Sequence, residues 1–372
     1  MTTQSMELGQ SRANSKVNTA PAFYRQLRSM GAYATVTLFA FMLVSIYLMP
    51  FVYGSLTALK TREQTVTSAN GPLLPVDHQT FEWQGELLPV YHVTLPDGEE
   101  RDMARLSTST VRTQYMIDPE NPEAEPIELD IRRPQLQEVW VLNPHWENFK
   151  LVWEGQAGMV KLPRLMLNTV LIAFFGVIGT VASSLMVAYA FARFPIPFKR
   201  IIFFVLIGTI VLPKQVTLVP TYALFVTLGW KGTWLPLIVP HFFANAYNVF
   251  LFRQYFMTLP RELDEAAMID GANPFQILVR VIIPQSFPVI MAVSLFHFVY
   301  AWNDYFEPLL YLQGKPELQP ISIGIQNYNY IYDQQQGLLQ ASVLMTLIVP
   351  VVLFFVMQRF FMQGVVVTGV DK

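Results

Sequence analysis

The stretch Glu265-Ala266-Ala267-Met268-Ile269-Asp270-Gly271-Ala272, followed by Val281-Ile282-Ile283-Pro284, decides how this chain is read. It is a short polar segment between two long apolar runs, with Arg253, Arg261 and Arg280 around it. A chain built for hydrocarbon has little use for such a segment unless something in the aqueous phase reads it. The residue types suit a short helix that offers itself to a partner. Glu265 in the first turn complements the helix dipole and presents a carboxylate. Ala266 and Ala267 keep the side chains small and the helix propensity high. Gly271 supplies the left-handed residue that ends the helix, and Asn273-Pro274 blocks its continuation. Pro284 is then expected to start the next helix.

Outward from this loop, the composition is that of a membrane protein. The 372 residues are 52% hydrophobic and 14% charged, with a mean hydropathy of +0.34, too apolar for an ordinary soluble domain. A spanning helix needs about 20 apolar residues. Five charge-poor runs reach that length: 29–59, 165–192, 232–252, 281–303 and 334–358. A sixth run starts at Ile201, meets Lys214, and continues through Pro213, Pro220 and Gly229. It reads as a short or broken span whose irregular backbone is shielded by protein. The expected fold is an all-α polytopic membrane protein of six transmembrane helices with a small β-rich insert.

Charge orients the spans. Arg193, Lys199 and Arg200 follow the second run, and Arg253, Arg261 and Arg280 follow the fourth. The opposite loops carry Lys214 and Lys231, then Lys315. By the positive-inside rule both termini are expected in the cytoplasm, and residues 61–146 outside. Arg12, Lys16, Arg25 and Arg28 precede the first run, which is too long for a cleavable leader. The expected organisation is a tail 1–28, a first helix 29–60, the insert 61–146, a core 147–361 holding five helices and the cytoplasmic loop 259–284, and a tail 362–372.

The insert holds 15 acids against 6 bases, whereas the remainder holds 12 against 19. Basic flanks beside apolar spans suit an anionic leaflet of membrane lipid, not nucleic acid. Val90 to Leu95 is strand-like, Pro96-Asp97-Gly98 is a hairpin-type turn, and Met103 to Met116 resumes as strand. Nine prolines and the acidic run Asp118 to Glu128 favour short strands and loops. The chain has no cysteine, so the insert is held by packing alone and thiolate chemistry is excluded.

Further residues carry the resemblance to a known family, which covers residues 145–372 and the first span. Asn148-Phe149, Leu167-Asn168-Thr169, Ala188-Tyr189-Ala190-Phe191-Ala192-Arg193-Phe194, Leu259-Pro260 with Glu262-Leu263, and Trp302-Asn303-Asp304 stand where that family has its motifs. The spacing of Glu265, Gly271 and Pro284 matches its loop. The chain resembles the carbohydrate-type ABC importer permeases, the branch containing the second inner-membrane subunit of the maltose transporter. The insert departs from the family pattern.

That resemblance implies a bacterial inner-membrane subunit that moves a sugar or sugar-like solute by alternating access. Implied partners are two ABC ATPase subunits, a second permease subunit and an extracytoplasmic solute-binding protein. Glu265, Ala266, Ala267, Asp270, Gly271, Ala272 and Pro284 are the implied ATPase-coupling residues. The chain itself binds no cofactor in this reading; ATP and Mg sit on the partner ATPases. No Gly-x4-Gly-Lys-Ser/Thr occurs, so the chain has no P-loop of its own. No catalytic or metal-binding constellation stands out, and His241 and His297 read as isolated.

For the solute path, two readings stand. Trp302, Asn303 and Asp304, with Glu307 nearby, combine aromatic planes and carboxylates as a sugar site does, or form an interfacial belt. Asn245, Tyr247 and Asn248 either line the path or hydrogen-bond between helices. The tail from Gln363 either reaches between the ATPases or frays. Rival classes are an ion-coupled secondary transporter and a membrane receptor using the insert as ligand domain. The first needs an intramembrane relay of ionisable residues; the second needs a cytoplasmic signalling module.

Overall fold

The computed structural model describes residues 22–67, 72–95, 98–108, 113–131, 136–155, 159–330 and 333–366. Two compact units divide the chain, residues 1–53 and 54–372. The first unit is the body of a long helix, Ala22–Ala58, whose apolar side chains, such as Phe39, Phe41 and Ile46, are exposed. That surface suits lipid and no aqueous environment.

The second unit is built around the helix Leu162–Arg193. Pro163 stands in its first turn, where a missing N–H costs nothing. Its buried face carries Gly176, Gly179, Ser183, Ser184, Ala188 and Ala192. Small residues there let neighbouring backbones approach, the usual device for packing helices in lipid. The helices Ala246–Thr258 and Phe287–Asn303 pack against it. Their shared core at one end holds Tyr189, Phe191, Phe252, Phe256, Ile277 and Ile282.

Four helices are long and apolar enough to cross a membrane, or up to six when each of two bent pairs counts as one span. One bent pair is Lys199–Val211 with Lys214–Thr227, broken by 94°. The expected break in the third span is therefore present, at Leu212-Pro213. The other pair is Pro274–Gln285 with Phe287–Asn303, broken by 80°. Here the expectation for Pro284 is corrected. Pro284 lies in the last turn of the first member, and the break falls at Ser286. A π-helical stretch, Leu278–Ile282, precedes it. The widened turn shifts the hydrogen-bond register just where Pro284 lacks a donor. Pro288, in the first turn after the break, opens the long helix instead.

The last helix runs Gln336–Val366, beyond the expected boundary at 361, so the expected tail is partly helical. Residues 367–372 and 1–21 lie outside the described residues.

Residues 76–142 form a β-rich region. Its strands are β1 Val76–His78, β2 Thr80–Trp83, β3 Glu86–Thr94, β4 Glu100–Thr108, β5 Thr113–Ile117, β6 Ile127–Asp130, β7 Gln137–Glu138 and β8 Trp140–Leu142. The main sheet is an antiparallel meander ordered β2-β3-β4-β5-β6, with β7 on β3; β1 and β8 pair separately. Tyr91 faces Met103 in the register of β3 and β4. Alternation fills both faces: Tyr91, Val93, Met103, Met116 and Leu129 on one, Leu88, Val90, Ala104 and Ile117 on the other. Two buried faces explain how a sheet without disulfides holds together. Pro96 and Asp97 of the expected turn lie outside the described residues; Gly98 beyond them has φ 87°.

The two ends of this region meet. The His145 amide donates to the Leu59 carbonyl at 2.9 Å, and Asn148 Nδ2 donates to the carbonyls of Ala58 and Lys60 at 2.8 and 3.0 Å. The β-rich region is thus inserted through a narrow neck.

Candidate functional site

The segment around Glu265 folds as a short helix, Glu262–Ile269. Glu262, Asp264 and Glu265 stand in its first turn, where acidic groups favour the helix dipole. Gly271 has φ 82°. Its amide donates to the Met268 carbonyl at 3.0 Å, and the Ala272 amide donates to the Ala267 carbonyl at 2.9 Å. This pair of bonds is a Schellman ending. A Cβ placed on Gly271 meets nothing within 4 Å, so the glycine is there for its backbone conformation and not for space. Asn273 then caps the next helix: its Oδ1 accepts from the Gln276 amide at 2.9 Å, while Gln276 Oε1 accepts from the Asn273 amide at 2.8 Å. The loop is therefore a stiff double elbow.

Its residues separate into two faces. Ala267 and Ala272 are half-buried against the cluster of Tyr189, Phe252 and Ile282. Glu265, Ala266 and Asp270 are exposed. So are large apolar groups that the sequence reading passed over: Met268 (55%), Ile269 (87%) and Phe275 (67%). The outward face is apolar and acidic at once, the composition of a docking surface with a charged rim.

Sequence reasoning also missed what ties this helix to the bundle. Asp264, adjacent to Glu265, points inward. Its carboxylate lies 2.7 Å from Arg193 Nε, with side-chain exposures of 10% for Arg193 and 11% for Asp264. Arg193 ends the long helix Leu162–Arg193 and also donates from Nη2 to the Leu259 carbonyl at 3.1 Å. The ion pair is close but poorly aligned: neither Asp264 oxygen has a hydrogen-bond partner among the described residues. Burial pushes the Asp264 carboxyl above its ordinary range, and Arg193, then Arg261, pull it back only in part. Arg193 belongs to one family motif and Asp264 stands between two others, but nothing in their separation of 71 positions announces contact.

The candidate path residues do not come together as one site. Asn245 Oδ1 accepts from the Tyr247 and Asn248 amides and so caps the helix Ala246–Thr258. Tyr247 is exposed and Asn248 half-buried. Trp302 is 6% exposed and stacks on Phe298 at 5.4 Å within an apolar cluster. Asn303 Nδ2 donates to the Val299 carbonyl of its own helix at 2.8 Å. Of the six, Asp304 lines a cavity, with His241, Tyr300, Ile172, Leu237 and Ala301 among its walls. The cavity measures about 10 Å³, near the room one water needs.

Around this cavity the structure assembles polar groups that the sequence scatters. Lys214, expected in a loop, opens the second half of the broken 199–227 segment. Its ammonium donates to Tyr300 Oη, sits 4.1 Å from that ring's centroid and 4.0 Å from Glu307 Oε1. His241 and His297, read as isolated, have ring centroids 4.4 Å apart. Thr180 Oγ1 is 3.1 Å from His297 Nδ1, and a Cβ at Gly176 has no room beside the His297 ring. Asp304 stands just past the helix end at Asn303. Burial, then the Glu307 carboxylate beside it, pushes its carboxyl up to about 6.

Comparison with known proteins assigns this architecture. Residues 179–367, half of the chain and including the whole Glu262–Gln285 elbow, match the family model described as binding-protein-dependent transport system inner membrane component. The chain belongs to that family. The osmoprotective compounds uptake permease protein GgtD of Synechocystis is 33% identical over 207 residues, 55% of this chain and 70% of that one. The sn-glycerol-3-phosphate transport system permease protein UgpE of Salmonella typhi is 35% identical over 224 residues, 59% of this chain and 79% of that one. A solved bacterial ABC transporter involved in import of the acidic polysaccharide alginate shares the fold, with a TM-score of 0.59 at 19% identity over 91% of this chain and 98% of its own. This permease is therefore the non-catalytic membrane subunit of an ABC importer, and ATP hydrolysis belongs to separate subunits. The ion-coupled transporter and receptor readings fall with that assignment.

Proposed function

We propose that this permease carries a sugar or sugar-like solute across the bacterial inner membrane, delivered by an extracytoplasmic binding protein. In this reading it pairs with a second permease subunit and two ATPase subunits, which hold the ATP and Mg. Six spans cross the membrane, both termini are cytoplasmic, and the β-rich region stands outside. Uptake permeases for osmoprotective compounds and for sn-glycerol 3-phosphate among its relatives support a small polar solute.

The observation that carries the mechanism is the buried contact between Arg193 and Asp264. The helix Glu262–Ile269 presents Glu265, Asp270 and Ile269 outward while Asp264 grips the end of the central helix. Movement imposed on the outer face is thereby passed to Leu162–Arg193 and its neighbours. Ala266, Ala267, Gly271, Ala272 and Pro284 shape the elbow that transmits it. The test is charge reversal, Glu265→Lys, with co-purification of the ATPase and solute uptake as readouts. Loss of both supports the coupling role; retention of both contradicts it.

The β-rich region serves, in the same proposal, to dock the binding protein or the partner permease's outer loops. Its narrow neck at Leu59 and His145 makes it removable. Deleting residues 65–140 is expected to weaken binding-protein association and leave ATPase assembly intact; full transport by the deletion variant contradicts this role.

A further inference from the structure

The cavity-side cluster carries information about the solute. From Lys199 to Val211 is thirteen residues, about 20 Å of helix at 1.5 Å per residue. Lys214 follows at the bend, with its side chain 69% exposed. An ammonium that far along an apolar segment is not left facing lipid; it faces a water-lined space or a polar partner. Asp304 and Glu307 flank the same point from beyond the end of the helix Phe287–Asn303.

The group types are those that bind hydroxyls. Ammonium donates, carboxylates accept, and both remain competent for neutral ligands. Their sum matters more. One cation already shared between Tyr300 and Glu307 stands against two carboxyl groups, so the formal charges of the three side chains sum to one negative. A phosphate or carboxylate entering here meets like charge at short range. Such a repulsive element is how a site rejects a competitor that its attractive contacts accept.

We propose that Lys214, Asp304 and Glu307 form a specificity station on the solute path that passes neutral polyhydroxylated solutes and rejects phosphorylated or carboxylated ones. This rests on the reading of the chain as an importer of sugar-like solutes. Tyr300 is the positioning residue: it holds Lys214 by a hydrogen bond and by its ring face. Asp304 lines the cavity behind.

The test uses the whole importer in proteoliposomes: this chain, its partner permease, the ATPase pair and the binding protein. Labelled maltose, trehalose and glucitol are compared with glycerol 3-phosphate, glucose 6-phosphate and galacturonate. The binding protein is held constant, so a change in the ratio reports on this chain. The wild type is expected to take up a neutral probe about tenfold or more faster than any anionic one, and D304N/E307Q to narrow that ratio to about threefold or less. K214M is expected to lower neutral uptake by about tenfold, with K214R restoring most of it. Co-purified ATPase confirms that each variant assembles; where D304N/E307Q does not, the single variants D304N and E307Q are compared with the wild type in its place. Uptake of an anionic probe as fast as the neutral ones overturns the station while the importer reading stands. So does a ratio unchanged in assembled D304N/E307Q. Uptake of no probe, with no stimulation of ATP hydrolysis by the binding protein, overturns the solute reading itself and the station with it.

Discussion

Arg193 Nε and the Asp264 carboxylate lie 2.7 Å apart, each side chain about nine-tenths buried. One residue ends the helix Leu162–Arg193 and the other belongs to the short helix Glu262–Ile269. A buried ion pair is weak evidence for added stability, because desolvation offsets most of its attraction. Its value here is geometric: it fixes the two elements to one another.

Removing one partner strands the other. Arg193→Met leaves the Asp264 carboxylate buried with only the weaker pull of Arg261 and is expected to cost about 3–5 kcal/mol. The double variant R193M/D264L removes both charges and is expected to recover most of that loss. Thermal unfolding in detergent measures both; equal losses in the single and double variants contradict the pairing.

The same pair has a pH signature. The folded protein raises the Asp264 carboxyl above its ordinary value. A raised carboxyl favours the protonated form, so its contribution to stability is fully present below the unfolded pKa and lost as pH rises through the folded one. Without Arg193 the carboxyl rises further. The unfolding-temperature deficit of R193M is therefore expected to be larger at about pH 7.5 than at about pH 5. A deficit that grows toward acid contradicts this.

Gly271 is held at φ 82° with open space around its Cα. Gly271→Ala is expected to cost about 1–2 kcal/mol through backbone strain alone, and Gly271→Asn less, because asparagine tolerates the left-handed region. Unfolding temperatures rank the three. Alanine and asparagine behaving alike shows that strain is not the cause.

Ile269 is 87% exposed at the outer end of the same helix. Ile269→Asp is expected to leave the stability within about 0.5 kcal/mol of the parent, as surface changes do. ATPase co-purification is expected to fall by about tenfold, the scale of losing one buried apolar anchor. A large fall in stability with assembly retained reverses the assignment.

Much of this was legible in the sequence because it follows from local chemistry. Gly271 and Asn273-Pro274 announce the end of one helix and the start of another, and the structure has both. The break beyond Leu212 follows from Pro213. Hydropathy alone locates the long apolar segments. What stayed hidden depends on distant residues meeting. Asp264 looks like one more acid beside Glu265 until Arg193, 71 positions earlier, is seen beneath it. His241 and His297 look isolated because they come from different elements. Pro284 misleads because a π-helical turn ahead of it absorbs its missing donor, which moves the break to Ser286. Asn245 and Trp302 have polar or aromatic character that suits a solute path; in the structure Asn245 Oδ1 also caps a helix and Trp302 packs in an apolar cluster.

The chain contains no cysteine, so a single introduced thiol is unique within it. The most direct measurement places one at Ile269→Cys, or at Leu87→Cys on the exposed surface of the β-rich region, and labels it in the assembled complex with benzophenone maleimide, whose maleimide takes the thiol and whose ketone, on illumination, inserts into a C–H bond of whatever chain lies against it. The account predicts a covalent adduct between this chain and the ATPase subunit from position 269 and none from position 87. Absence of that adduct at 269 in an assembled, ATP-hydrolysing complex contradicts the claim that the helix Glu262–Ile269 is where the ATPase engages the permease.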